Sequence, residues 1–278
     1  MTRAPDTPGL LTASLIGLSR YTPFGRGAAR KLMAKAVRSL HPAPAIEASL
    51  YGGRARLHHT GNNSELKALL SPHRYAREEY AFCAAHMPRE GGVFVDIGAN
   101  AGIFSLYMAS RMASGTLIAA EPQPNMFARL EHNFALNPGH EKRLSLHLHQ
   151  TAIGGAVPGT LTLSQPDSAG QASAHIVGDV PTIDVPILPL ARLLDRAKTD
   201  AVDVLKIDVE GFEDQVLFPF FEAEEEIRFP RAVVMERCNA DKWQRDCEGL
   251  LVQHGYSVVQ KDRTNMMLVR GKGARRTA

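Results

Sequence analysis

From residue 91 onward, short apolar runs alternate with longer segments whose apolar residues are spaced as in a helix. The apolar runs predict strands at VFVDI (93–97), TLIAAE (116–121), LSLHLH (144–149), AVDVLKIDV (201–209) and RAVVMER (231–237). The segments between them predict helices over 102–112, 124–136 and 212–227. The end of the chain, LLVQHGYSVVQ followed by NMMLVR, predicts a helix, a strand, a turn and a closing strand. This alternation favours an α/β fold, in which helices cover both faces of a mostly parallel sheet.

The first 88 residues follow a different pattern, and we interpret them as an extension packed on the main domain. Residues 9–40 mix apolar and basic positions, which predicts amphipathic helices interrupted around Pro23 to Gly27. They are interpreted as a docking or lid element, with attachment to a membrane surface as the alternative. Residues 45–60 predict a short hairpin, and Ser71 to His86 predict a helix that begins at Ser-Pro.

The main domain is predicted to span residues 89–272. Within it, Gly, Pro and Ser punctuate short β-rich pieces near 154–190, so we expect an inserted β-rich arm there. Residues 273–278 are predicted to form a basic tail.

Composition narrows the class of protein. The 278 residues carry 32 basic and 29 acidic side chains, a net charge of +3, so no strong field indicates a nucleic acid as partner. Three cysteines without a C-x-x-C pair support neither a disulfide framework nor a zinc site. The sequence has no apolar run of membrane-spanning length, and its start lacks the pattern of a secretory signal. We therefore expect a cytoplasmic protein.

A glycine-containing turn follows the first predicted strand of the main domain. Asp96, Gly98, Asn100 and Gly102 lie where that buried strand turns into a helix, a place where backbone can approach a ligand closely. Dinucleotide folds hold a pyrophosphate at this turn, and a carboxylate at the strand end would repel it. Asp96 suits a cationic ligand instead. S-adenosylmethionine, which carries an ammonium and a sulfonium and no phosphate, fits this requirement.

Two further residues are candidates for the same ligand. Glu121 ends the next strand, where nucleotide-binding α/β folds place an acid that bridges two ribose hydroxyls. Gln150 follows the third strand and is a candidate for hydrogen bonding to the adenine base, although it can equally form a turn.

The run Lys206-Ile-Asp208-Val-Glu210 ends the fourth strand and is the densest cluster of charge. Strand alternation predicts that Lys206, Asp208 and Glu210 share one side. Charges on a buried strand are costly unless they are paired or used, so we predict a catalytic site, with a structural Lys206–Asp208 ion pair as the alternative. Glu213 is interpreted as an acid of the first helical turn, and Glu236 either faces the pocket or caps the sheet.

With these residues identified, the chain resembles the FkbM-type family of class I methyltransferases over roughly residues 50–270. The resemblance depends on VDIGANAGIFSL (95–106), EPQPNMFARLEHNFALN (121–137), LKIDVEGFE (205–213) and VVMER (233–237). It implies a Rossmann-like, seven-stranded sheet with an antiparallel closing strand, and O-methylation of a hydroxyl on a sugar, polyketide or other natural product. It also implies that Asp96, Gly98, Asn100, Gly102 and Glu121 contact the cofactor, and that Lys206, Asp208 and Glu210 border the transfer site.

For the reaction itself, an alcohol must lose a proton as it is methylated. We assign Asp208 or Glu210 as the base, with Lys206 pairing with it or steadying the alkoxide. A metal held by Asp208 is the lesser option, because the neighbouring strand lacks an evident Asp-Asn ligand pair, and we predict no metal.

Other functions remain open at this stage. An N- or nucleic-acid methyltransferase would explain the basic ends, but the N-P-P-Y and D-P-P-Y runs of such enzymes are missing. A cofactor-binding protein without catalysis is the non-enzymatic alternative. The expected partner is a small hydroxylated molecule rather than a nucleic acid, with weak peripheral membrane contact by the basic N-terminus as a further option.

Overall fold

The computed structural model describes residues 6–164, 174 and 179–271. The centre of the predicted arm, the basic tail at 273–278 and the first five residues lie outside the described residues. In the part of the chain that is described, no helix is long and apolar enough to cross a lipid bilayer.

A seven-stranded sheet forms the centre of the molecule. Its strands are β3 (Gly92–Ile97), β4 (Gly115–Ala120), β5 (Leu144–His149), β9 (Val204–Ile207), β10 (Ala232–Glu236), β11 (Tyr256–Lys261) and β12 (Asn265–Arg270). They lie in the order β11-β12-β10-β9-β3-β4-β5. β12 runs antiparallel to both of its neighbours, whereas β9, β3, β4 and β5 pair in parallel. The predicted fold with its antiparallel closing strand is therefore confirmed.

Alternate residues of the central strands pack into two separate apolar layers. Phe94 and Val204 belong to the layer on one face, whereas Val95, Leu205 and Ile207 belong to the layer on the other. Because neighbouring side chains of a strand point to opposite faces, a strand covered on both sides is mostly apolar, and the charged exceptions here, Asp96 and Lys206, pair with each other. This is why the strands could be identified from short apolar runs.

Helices cover both layers. Those of the main domain are α5 (Ile103–Arg111), α6 (Pro124–Ala135), α7 (Leu190–Arg196), α8 (Glu213–Ala223) and α9 (Cys247–Gln253). The predicted helices at 102–112, 124–136 and 212–227 correspond to α5, α6 and α8, although α8 ends four residues early, at Ala223.

The N-terminal extension packs on one face of the main domain and shares its core. It contains α1 (Leu10–Tyr21), α2 (Gly27–Leu40), the hairpin of β1 (Ala45–Leu50) and β2 (Gly53–His58), α3 (Asn63–Leu70) and α4 (Arg77–His86). Ile16, Val37 and Leu57 lie in the same apolar layer as Phe94. The division into an extension at 1–88 and a main domain at 89–272 stays a proposal.

One predicted helix of this extension is wrong in part. The helix expected from Ser71 begins only at Arg77, because Ala76 adopts a left-handed conformation with φ of 47° and interrupts the helix there. A helix that the pattern did not indicate, α3, precedes it. Asn62 caps α3, because its side-chain oxygen accepts hydrogen bonds from the backbone N–H groups of Ser64 and Glu65.

A second, three-stranded sheet occupies the predicted insertion. β7 (Gly159–Ser164) pairs antiparallel with β8 (Thr182–Leu188), and the short β6 (Ala152–Ile153) pairs parallel with β8. The described residues therefore agree with a β-rich arm.

Candidate active site

The candidate site lies at the topological switch point of the sheet, where the order in which strands are added changes from one side of β3 to the other. β3 has β4 on one side and β9 on the other, so the turns after β3 and β9 diverge and leave a crevice at their carboxyl ends. A cavity of about 570 Å³ occupies this position. Six of the predicted site residues line it: Gly98, Asn100, Glu121, Lys206, Asp208 and Glu210.

Asp96 and Lys206 form a buried ion pair beneath this cavity. The two residues are register partners on β3 and β9, and Lys206 Nζ lies 3.0 Å from Asp96 Oδ1. Asp96 is completely buried, and its other oxygen accepts a hydrogen bond of 2.6 Å from Ser105 Oγ. Lys206 compensates the charge of Asp96, which does not itself line the cavity, and the contribution of Asp96 to cofactor binding stays a prediction.

Lys206 connects three parts of the site. Besides its contact with Asp96, its ammonium group donates to the Gly98 carbonyl oxygen at 2.9 Å and lies 3.6 Å from Asp208 Oδ2. Burial on its own would lower the pKa of Lys206, but the carboxylates of Asp96 and Asp208 outweigh it and raise the pKa above its ordinary value. Lys206 is therefore a permanent cation that holds the glycine turn. The Lys206–Asp208 pair is present, but it is longer than the pair with Asp96.

Gly98 lies against the backbone of the neighbouring strand end. Its φ is 76°, and an added Cβ would lie 1.8 Å from the Asp208 carbonyl oxygen. A side chain is excluded at this position both by the conformation and by the contact. The two turns of the site are consequently packed directly on each other.

Asn100 and Glu121 link the turn after β3 to the end of β4. The backbone N–H of Asn100 donates to Glu121 Oε2 at 2.8 Å, and the N–H of Gln123 donates to Oε1 at 2.9 Å. The Asn100 side-chain oxygen accepts from Asn62 Nδ2 at 2.8 Å, which connects the turn to α3. Burial raises the pKa of Glu121 to about 7, although the two backbone donors oppose the shift. Glu121 is thus held rigidly at the cavity wall.

Three carboxylates meet on the opposite side of the cavity. Oxygen atoms of Asp208, Glu210 and Glu236 lie within 4.8 Å of one another. Asp208 and Glu210 follow the end of β9, and Glu236 is the last residue of β10. Glu236 thus faces the pocket, which was one of its two predicted positions. Such a group can hold a divalent cation. The absence of a metal stays a prediction.

The three carboxylates differ in how far neighbouring cations and hydrogen-bond donors balance their negative charge. Asp208 lies near Lys206, and Asn239 Nδ2 donates to Glu210 Oε2 at 3.1 Å. Glu236 Oε2 is buried and accepts no hydrogen bond from any residue that the structure describes. Burial, followed by the charges of Asp208 and Glu210, raises the pKa of Glu236 to about 8. Near neutral pH, this group of carboxylates therefore holds a proton.

Glu213 holds the turn after β9 by hydrogen bonds. Its Oε1 accepts from the backbone N–H groups of Val209 and Gly211, and its Oε2 accepts from Trp243 Nε1 at 2.6 Å. These bonds stabilise the turn in which Glu210 has a φ of 56°. The interpretation of Glu213 as a non-reacting residue is supported, and its role is to shape the turn.

Two other predicted cofactor contacts lie outside the cavity lining. Gly102 begins α5 with a φ of 77°, and an added Cβ would meet Leu130 at 3.2 Å, so it serves helix packing. Gln150 is exposed, and the next three residues, Thr151 to Ile153, line the cavity instead. Gln150 follows the end of β5, and its contact with adenine stays a prediction.

Sequence reasoning missed the part of the wall that the N-terminal extension supplies. Tyr75 is the most central of these residues, and burial raises the pKa of its phenol. The other extension residues that line the cavity are Arg30, Ser64, Lys67, Ser71, Arg74, Ala76 and Glu79. They carry no motif, and their positions depend on how the extension folds onto the main domain.

Comparisons with known proteins agree with this geometry. The family model described as the methyltransferase FkbM domain matches residues 96–258. The chain is 26% identical over 209 residues to Methyltransferase sdnD of Sordaria araneosa, covering 66% of this chain and 80% of that protein. It is 27% identical over 184 residues to Methyltransferase 1 of Beauveria bassiana (strain ARSEF 2860), covering 59% of this chain and 72% of that protein.

Solved structures of methyltransferases also match. Methyltransferase FkbM from Methylobacillus flagellatus KT aligns over 92% of this chain and 57% of its own, with 14% identity and a TM-score of 0.39. A methyltransferase from Geobacter sulfurreducens aligns over 94% of both chains, with 12% identity and a TM-score of 0.41. Scores this low do not establish a shared fold, so the fold assignment depends on the strand order itself.

Proposed function

Because the chain belongs to the FkbM methyltransferase family, we propose that it methylates a hydroxyl group of a small molecule and takes the methyl group from S-adenosylmethionine. The methyltransferase activity follows from the family. The cofactor, the hydroxyl acceptor and the residue roles are the proposal, and the meeting of Asp208, Glu210 and Glu236 in one cavity with Glu121 carries it.

The residues present fit the cofactor. Glu121 is buried at a strand end, and each of its oxygens keeps a lone pair after accepting one backbone hydrogen bond, so it can also accept from ribose hydroxyls. Gly98 lines the cavity with backbone atoms only, because the Asp208 carbonyl oxygen lies where its side chain would be. When bound, S-adenosylmethionine supplies an electrophilic methyl group on its sulfonium sulfur.

The chain's own task is to orient the acceptor and remove its proton. Asp208 and Glu210 remain our candidates for the base, and Glu236, whose carboxylate lies beside theirs and whose pKa is raised to about 8, joins them. Lys206 holds Asp208 in place and keeps a positive charge beside the developing alkoxide. The extension closes the wall with Tyr75 and excludes water from this side.

Binding and chemistry can be tested separately. Calorimetry of the full chain with S-adenosylmethionine, S-adenosylhomocysteine and NAD should show binding of the two sulfur nucleosides. Binding of NAD alone would contradict the cofactor assignment. Mass spectrometry of candidate acceptors incubated with the protein should then show the gain of one methyl group on a hydroxyl. Methylation of RNA in place of small molecules would favour a nucleic-acid methyltransferase.

The base is tested by two substitutions. Asp208→Asn and Glu210→Gln should keep cofactor binding, and at least one should lower turnover by about a hundredfold or more. Asp241→Asn, which changes an exposed carboxylate outside the cavity lining, is the matched control. Full turnover in both variants would contradict the assignment of the base.

The cellular location stays an expectation. Cys83, Cys238 and Cys247 are free thiols, as expected in a reducing compartment, and a cytoplasmic location is proposed on that basis.

A further inference from the structure

Large apolar side chains are exposed mainly in one short segment of the N-terminal extension. Among the described residues, twelve large apolar side chains are exposed, and seven of them lie between residues 10 and 40. They are Leu10, Leu11, Leu18, Tyr21, Phe24, Leu32 and Leu40. Leu10, Tyr21 and Leu11 are 83%, 77% and 71% exposed, so they contribute almost nothing to the core.

The exposed residues of α1 share one face of the helix. At about 100° per residue, Leu10, Leu11, Leu18 and Tyr21 lie within an arc of roughly 100°. The buried residues of the same helix, among them Ile16, occupy the opposite side. The large apolar side chains of this helix therefore lie mainly on its outer face, and two of its three buried residues, Thr12 and Ser19, are polar.

The same segment is uniformly basic. Residues 7–46 contain no Asp or Glu, and they contain six basic residues: Arg20, Arg26, Arg30, Lys31, Lys35 and Arg38. In the described part of the chain, none of these six forms a salt bridge, and the side chains of Arg20 and Arg38 donate to backbone carbonyls. On α2, exposed Lys31 and Lys35 flank exposed Leu32. The positive charge of this surface is thus not compensated within the protein.

The surface is fixed to the fold rather than loosely attached. α1 and α2 contact each other, and both contact α3. Ile16, Ala34 and Val37 on their inner sides belong to the core layer that contains Phe94. The outward side chains are therefore presented to the surroundings by a folded helical hairpin.

We propose that the α1–α2 hairpin, residues 10–40, is a membrane-docking surface that binds bilayers containing anionic phospholipids. Apolar side chains on the outer face enter the boundary between headgroups and acyl chains, while the lysines and arginines contact the headgroup phosphates. A second copy of the chain is a poorer occupant, because pairing this surface with itself would bring its exposed positive charges, Arg26, Lys31, Lys35 and Arg38, against the same four of the other copy.

The docking surface adjoins the cavity. Arg30, on α2, lines the cavity together with Lys67 and Arg74, so the hairpin forms part of the cavity wall. Docking therefore brings the site close to the bilayer. The proposal does not depend on which acceptor is methylated or on which carboxylate acts as the base.

Vesicle binding tests the proposal with the full chain. Flotation should be compared between vesicles of phosphatidylcholine alone and vesicles with roughly one third phosphatidylglycerol, at low and high salt. Two double variants test the apolar contacts and the positive charges separately. Leu10→Ser with Leu11→Ser removes apolar side chains, and Lys31→Gln with Lys35→Gln removes positive charge. The matched controls are Val157→Ser with Val259→Ser, two exposed valines elsewhere, and Lys142→Gln, an exposed lysine elsewhere.

We expect binding to the anionic vesicles, weakening at high salt, and little binding to phosphatidylcholine. Each lysine removed should weaken binding by about fivefold, and the leucine variant by tenfold or more. The control variants should bind as the wild type does. Equal binding to both vesicle types, unchanged binding of the hairpin variants, or no binding would overturn the proposal.

Two further measurements separate the alternatives. Circular dichroism and the Tm of each variant should match the wild type, because the changed side chains are exposed. A dimer in light scattering that the leucine variant alone abolishes would identify the surface as an interface between copies and overturn the proposal. Methyl transfer to a soluble acceptor, assayed without lipid, reports on the proposed function independently.

Discussion

Lys206 Nζ lies 3.0 Å from Asp96 Oδ1 and 2.9 Å from the Gly98 carbonyl oxygen, so one ammonium group joins β9 to the end of β3 and to the turn that follows it. The pair is almost completely shielded from solvent. A buried charged group strongly destabilises the fold when its oppositely charged partner is removed. Lys206 is therefore a structural residue and a site residue at once.

Replacing Lys206 by Met should destabilise the protein. The change leaves the Asp96 carboxylate buried without its cation, which should lower the free energy of unfolding by about 3–5 kcal/mol in urea denaturation. Lys142→Met, at an exposed position, should have almost no effect. The double variant Asp96→Asn with Lys206→Met should lose less free energy of unfolding than the two single variants lose in sum. Additive losses would show that the two groups are not coupled.

Gly98→Ala should be far more disruptive than Gly61→Ala. Both glycines have a similar positive φ, 76° and 73°, but only Gly98 has a backbone atom where the Cβ would lie. Gly61→Ala should therefore cost about 1–2 kcal/mol for its conformation alone. Gly98→Ala should cost more in the same urea titration and should also abolish binding of S-adenosylmethionine in calorimetry. Equal losses of unfolding free energy in the two variants would mean that the turn at Gly98 can move away from Asp208 without destabilising the protein.

The rate of methyl transfer should depend on the proton held near Glu236. Because the pKa of Glu236 is raised to about 8, kcat/KM should rise with pH as this group loses its proton. In Glu236→Gln, the limb near pH 8 should move to lower pH, because the carboxyl group with the raised pKa has been removed. An unchanged profile would place the titrating group elsewhere. Glu222→Gln, an exposed carboxylate on α8, is the control.

Removal of divalent cations should leave methyl transfer intact. Lys206 already supplies a positive charge 3.6 Å from Asp208, so the carboxylate group has an internal counterion. Activity measured after dialysis against EDTA should match that of the untreated protein. Loss of activity that Mg²⁺ restores would instead identify Asp208, Glu210 and Glu236 as metal ligands.

The sheet and its turns were predictable because local pattern determines them. Strands buried on both faces are mostly apolar, and the turn at Gly98 tolerates no side chain, so both features are visible in short stretches of sequence. The same local rules placed Lys206 and Asp208 at one strand end.

Contacts between distant segments could not be predicted in this way. The partner of Asp96 is Lys206, and the partner of Asn100 is Asn62, which caps a helix that the apolar pattern did not indicate. Tyr75 reaches the cavity because the helix expected from Ser71 starts later, at Arg77. Such positions depend on how separate elements pack, and one sequence carries no direct signal of them.

The core layer that contains Phe94 is built from both the main domain and the N-terminal extension. On that face of the sheet, Phe94 is covered partly by the extension and partly by α5, whose Phe104 stacks on it. The extension also contributes Asn62 to the turn at Asn100. Shortening the chain to residues 89–271 would therefore expose part of the apolar layer around Phe94 and would remove the residues with which the extension lines the cavity.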